Sequence, residues 1–184
     1  MGKREVWIIL VIIALAVVQL IVFGLALMGL HSSKPAFALD DELSRQTLKG
    51  IQGVHVVIES LTPEIGGEEL DEDGLQKGTV QKLEGGGITV LSEPEIQMTP
   101  GRPHIYVHTS ILKYNYVPVY IYRNRVEFAQ DVYLVRDYEV KTGAVTWSVS
   151  AIGLASKLED IGASMEKLVD YFVEAYVSVN PKTG

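Results

Sequence analysis

The chain has 184 residues, 47% of them hydrophobic, with 16 basic side chains against 23 acidic ones and no cysteine. This length suits one domain with appendages, and the missing thiols exclude a disulfide scaffold, thiolate zinc and iron–sulfur sites, and a cysteine nucleophile. A net charge of −7 argues against nucleic acid as a partner, because displacing phosphate counterions requires a basic face.

From Val6 to Leu30 the only strongly polar residue is Gln19. As a helix this run would be about 38 Å long, more than the roughly 30 Å of a bilayer's hydrocarbon core. Lys3 and Arg4 precede it and Trp7 falls near one interface. The positive-inside rule then makes residues 1–5 a cytoplasmic tip and places everything after Leu30 outside. The expectation is a single-pass protein of the bacterial inner membrane, in contact with the lipid bilayer through residues 6–30. The alternative is a leader cleaved after Ala38, since Ala36-Phe37-Ala38 has the small-x-small pattern of a signal-peptidase site. Residues 31–45 read as a polar stalk and 46–181 as an extracytoplasmic domain.

In that domain Val54, Val56 and Ile58 alternate with His55, Val57 and Glu59, which predicts a strand over 53–61. An acidic stretch with Pro63, Gly66 and Gly67 follows as a solvated loop over 62–74. The Asp73/Gln76 spacing predicts a capping box opening a helix that carries Leu75, Val80 and Leu83 and stops at Gly85-Gly86-Gly87. Strands are predicted over 88–91, 104–112, 119–136 (bent near 129–131) and 144–152. Turns at Tyr114-Asn115 and Lys141-Thr142-Gly143 would pair the last three as an antiparallel meander. Leu158, Ile161, Met165, Leu168, Phe172 and Tyr176 recur at steps of three and four behind a Ser156/Glu159 box, and Asn180-Pro181 ends that helix. The order β-α-β-β-β-β-α predicts an α+β, two-layer domain with a mixed, largely antiparallel sheet and both helices on one face.

The motifs that could carry chemistry fail on geometry. His104 and His108 have chelating i, i+4 spacing on a helix, but the segment reads as strand, where four residues span about 13 Å. Glu69, Asp71, Asp73 and Gly74 fit the start of a calcium loop, whereas Val80 stands where the bidentate Glu belongs. The triple glycine follows a helix instead of preceding one, the reverse of a phosphate loop. Ser148 and Ser150 lie on an ordinary strand with no assigned base. A pair of carboxylates acting as an envelope hydrolase stays as a minor alternative. The expectation is therefore no catalytic residue, no metal and no cofactor.

Binding has a better signal. Tyr106, Tyr120, Tyr122 and Tyr133 are interleaved with Arg123 and Arg125 in the meander, and Tyr and Arg are enriched at interface hot spots. With Val119 and Ile121 placed under the helices, Tyr120 and Tyr122 would face outward toward a partner. Cross-strand tyrosines equally serve to stabilise an exposed sheet.

Leu48-Lys49-Gly50 with Gly53-Val54, the run Asp131-Val132-Tyr133-Leu134-Val135-Arg136, Thr146-Trp147-Ser148 and the closing Tyr176-Val177-Ser178-Val179-Asn180-Pro181 together resemble an uncharacterised family of small exported or membrane-anchored bacterial proteins. The element order is also similar, at the level of fold, to α/β domains of envelope assembly lipoproteins that activate peptidoglycan synthases or build secretion channels. These resemblances imply an envelope location and a role in binding a protein partner. The function expected is that of a non-catalytic, membrane-anchored binding or assembly module; the alternative is an accessory single-pass subunit of a larger membrane complex.

Overall fold

The computed structural model describes residues 37–61, 70–114 and 119–181. The predicted transmembrane segment, with Trp7, Gln19 and Leu30, lies outside them, as do residues 62–69 of the acidic loop. Among the described residues no helix is long and apolar enough to cross a membrane.

The described residues form five strands and four helices in the order β1 (Phe37–Leu39), α1 (Glu42–Gln46), β2 (His55–Leu61), α2 (Glu72–Gly85), α3 (Glu93–Met98), β3 (His104–Tyr114), β4 (Val119–Leu134), β5 (Asp137–Ala155) and α4 (Leu158–Val179). The fold is α+β. Its mixed sheet has the order β1-β5-β4-β3-β2, with β2 and β3 parallel and every other pair antiparallel. The parallel pair follows from the helices between β2 and β3, which return the chain to the same end of the sheet.

One face of the sheet is the core. Val54, Val56, Ile105, Val107, Val126, Phe128, Trp147 and Val149 meet Leu75 and Leu83 of α2 and Met165, Leu168, Val169 and Phe172 of α4. The Trp147 indole stands edge-on to Phe172 at 5.2 Å, and Phe172 stacks on Phe128 at 5.9 Å, arrangements that aromatic quadrupoles favour. A second cluster of Ile111, Tyr120, Tyr122, Ala155 and Ile161 fills the far corner of the same face. Between the two clusters, Asn124 Nδ2 donates to the carbonyl of Ile161 at 2.9 Å, tying β4 to the first turn of α4.

The boundaries differ from expectation in ways that have physical causes. Residues 37–45, read as part of a stalk, are built into the domain. Ala38 pairs with Val149, and the Asp40 carboxylate accepts from the Trp147 indole at 2.7 Å and from Arg45 through two bonds of 2.6 Å. Polar side chains that looked solvated are consumed by these local bonds. Asp71, not Asp73, caps α2, accepting from the Gly74 amide at 2.8 Å, and Gly87 at φ 81° follows the helix in the left-handed region as the triple glycine predicts. Residues 88–91 contribute only a single bridge, Val54 to Val90. The chain then enters α3, where Pro94 is tolerated in the first turn and Glu95 accepts from the Ser92 amide at 2.8 Å. The N-cap of α4 is Lys157 and makes no side-chain cap bond, so the Ser156/Glu159 box does not form.

Lys141-Thr142-Gly143 is not a turn either. These residues run inside β5 opposite Tyr133, Val132 and Asp131, and the chain reverses at Val135-Arg136. Strands β4 and β5 therefore continue past the end of β3 as a two-stranded arm. At its base the buried Asp131 carboxylate accepts from Arg102 at 2.9 and 3.0 Å and stands 2.8 Å from Lys141. Those two cations pull its pKa down to about 2.

Candidate functional site: the open face of the sheet

Both long helices pack on one face; at the β2 edge of the other, the short α3 approaches His55 through Glu93 at 3.2 Å. Strand pairing arranges that open face in rows. Leu112, Ile121 and Leu154 lie side by side at one end, followed by Ser110, Arg123 and Ile152. Then come Glu59, His108, Arg125 and Ser150, and next Val57, Tyr106, Glu127 and Ser148. Rows two residues apart are about 7 Å from one another and neighbouring strands about 4.8 Å.

The central rows are polar and largely self-paired. Arg125 bonds Glu127 at 3.0 Å, and His108 Nδ1 lies 3.4 Å from Glu59. His104 stacks on Tyr106 with ring centroids 5.8 Å apart and meets the His55 ring edge-on at 5.6 Å. His55 is itself engaged, with Nδ1 2.8 Å from the Leu91 carbonyl and Nε2 3.2 Å from Glu93. Among the described residues no three His, Asp or Glu side chains gather into a metal-binding group. His104 and His108 lie on a strand, as their neighbours in sequence indicate.

The end rows differ. Leu112 and Leu154 are each 58% exposed, Ile152 55% and Ile121 38%. Arg123 lies exposed among them, next to Ile121 and Ile152, and among the described residues it has no carboxylate partner. By contrast Arg45, Arg102 and Arg125 each hold an acid. A cluster of exposed aliphatics around an unpaired guanidinium is chemically equipped to hold a complementary surface.

The predicted partner-binding residues separate into three places. Arg123, Arg125 and Tyr106 share the open face. Tyr133 is exposed on the arm, away from that cluster. Tyr120 and Tyr122 are corrected outright: they point under the helices and retain only 5% and 9% of their exposure. Val126 and Phe128 set the phase of β4, and residues two and four positions apart share a face, so the tyrosines fall inside with them and Ile121 falls outside. The partner strand makes room, with Ala155 opposite Tyr120 and Gly153 opposite Tyr122. A Cβ at Gly153 would lie only 2.6–2.8 Å from the Tyr122 ring and hydroxyl. Leu112, Ile152 and Leu154 were missed as surface residues. Carrying the alternation outward from Trp147 and Val149 along β5 would have found the last two.

A groove of about 390 Å³ lies between the N-terminal ends of α2 and α4, lined by Leu70, Leu75 and Leu158 with Asp71, Glu159 and Glu166. Asp71 is occupied as the α2 cap, and Glu166 lies 3.9 Å from Lys82. The calcium-loop spacing thus ends in a helix cap, with Val80 inside α2.

No protein-family profile matches the chain, and no curated protein does. Among solved structures, a PelC dodecamer from Paraburkholderia phytofirmans is similar to it, with 16% sequence identity and a TM-score of 0.41 over 67% of this chain and 90% of that one.

Proposed function

We propose that this chain is a non-catalytic, membrane-anchored module of the bacterial envelope, whose extracytoplasmic domain binds a partner protein through the open face of its sheet. The observation that carries the reading is the asymmetry of that sheet. One face is sealed by α2 and α4, while the other presents Leu112, Ile121, Ile152 and Leu154 around Arg123. Exposed aliphatics grouped around a hot-spot cation suit contact with another protein.

The anchor part of the proposal rests on the 25-residue apolar run from Val6 to Leu30 behind Lys3 and Arg4. Strand β1 supports retention over cleavage, because a cut after Ala38 would fall within a strand that pairs with β5. Alkaline extraction of native membranes, followed by external protease, tests it. The expected result is protein that stays in the membrane pellet and loses its domain to protease added from outside. Release into the alkaline supernatant, or a protected domain, would contradict it.

A further inference from the structure

We propose, on the basis of the binding-module reading, that the corner formed by Leu112, Ile121, Arg123, Ile152 and Leu154 docks a protein segment presenting aliphatic side chains around a single carboxylate. The four aliphatic side chains lie in two adjacent rows of three strands, so they form one continuous apolar surface about two strand spacings wide. Arg123 sits in the inner of those rows, flanked by Ile121 and Ile152. Its guanidinium therefore lies at the edge of a surface that sheds water on contact, where a charge-assisted bond gains strength and a missing acceptor is costly.

Charge selects the occupant. The chain carries −7 overall, so a polyanion such as nucleic acid or an anionic lipid surface is repelled at long range. One unpaired cation surrounded by aliphatics instead matches one isolated carboxylate among aliphatics. The five residues of this corner include no carboxylate, so a second copy docking it symmetrically would offer Arg123 no acceptor, which disfavours self-association through this surface. The neighbouring rows sharpen the specificity. Arg125 is already neutralised by Glu127, so on this face, among the described residues, Arg123 is the guanidinium without an acid partner.

The test places a photoreactive phenylalanine at position 152 of the full-length protein in its native membrane, with a second version carrying it at Lys167 on the exposed side of α4. Cross-linked peptides are identified by mass spectrometry. The expected adduct from position 152 is another protein's segment with a Glu or Asp between aliphatic residues. Its yield should fall at least tenfold with Arg123→Glu, and exchanging that acid for Arg in the partner should restore it to the Arg123→Glu protein. Adducts to a second copy or to lipid, or a yield indifferent to Arg123→Glu, overturn the proposal. Protein adducts from Lys167 alone would reject this corner while leaving the binding module standing, and no protein adduct from either position would reject both.

Discussion

The two faces of one sheet, made by alternate residues of the same strands, have opposite compositions. Beneath the helices β4 contributes Tyr120, Tyr122, Asn124, Val126 and Phe128, all buried. On the open side it contributes Ile121, Arg123, Arg125 and Glu127. The lesson is that hydrophobicity alone does not assign a face: two tyrosines are inside, and an isoleucine beside them is outside. What decides is phase, set by the residues with no alternative, Val126, Phe128 and Trp147, and by the small residues Gly153 and Ala155 that leave space for the rings.

Substitutions should separate the faces by the size of their effect on stability. Trp147→Ala removes an indole packed against Phe172 and bonded to Asp40, and should cost about 3–5 kcal/mol by denaturant unfolding. A loss under 1 kcal/mol would mean that the covered face is not the core. Gly153→Ala drives a methyl group toward the Tyr122 ring and should cost about 1–3 kcal/mol; the double variant with Tyr122→Phe, which retains the ring, should remain destabilised. A value near zero for Gly153→Ala would return Tyr122 to the open face.

At the base of the arm the effect is smaller and depends on pH. The Asp131 pKa is pulled from 3.8 to about 2, first by Arg102 and then by Lys141. A carboxylate with a depressed folded pKa stabilises the native state above its unfolded pKa and ceases to do so as pH falls through the folded one. The stability advantage of the native protein over Asp131→Asn should thus be full above pH 4 and vanish toward pH 2. Both cations are about half exposed, so water screens the pair and the difference should be about 1 kcal/mol. Thermal melts of the two proteins across that range would show it, and a gap that widens on acidification would contradict the assignment. On the open face, Arg123→Glu and Leu154→Ser should change stability by no more than about 0.5 kcal/mol, although the first reverses the charge that the proposed partner needs.

Much of this was legible in the sequence. The alternation of Ile105, Val107, Thr109 and Ile111, and the helical spacing from Ile161 to Phe172, gave the right faces because each pattern is uninterrupted. Strand β4 misled because aliphatic Val119 and Ile121 compete with aromatic Tyr120 and Tyr122 for the inner face, and only the distant end of the strand breaks the tie. The segment around Asp40 was read as a stalk because its acids looked solvated. Their partners Trp147 and Arg45 come together only in the folded chain. For the candidate site, Arg123 and Arg125 were visible as hot-spot residue types. The aliphatic corner was not, since it joins Leu112, Ile121 and Leu154 from three strands.

Because the chain contains no cysteine, a single introduced thiol reports on one place. Leu154→Cys marks the open face and Lys167→Cys the exposed side of α4. In intact cells, a maleimide that does not cross the inner membrane should label the Lys167→Cys protein readily and the Leu154→Cys protein at least tenfold more slowly, with the two rates converging once the domain is purified away from its partner. Equal labelling of both positions in cells would contradict an occupied open face, and failure of both to react until the cells are lysed would contradict a domain outside the cytoplasm.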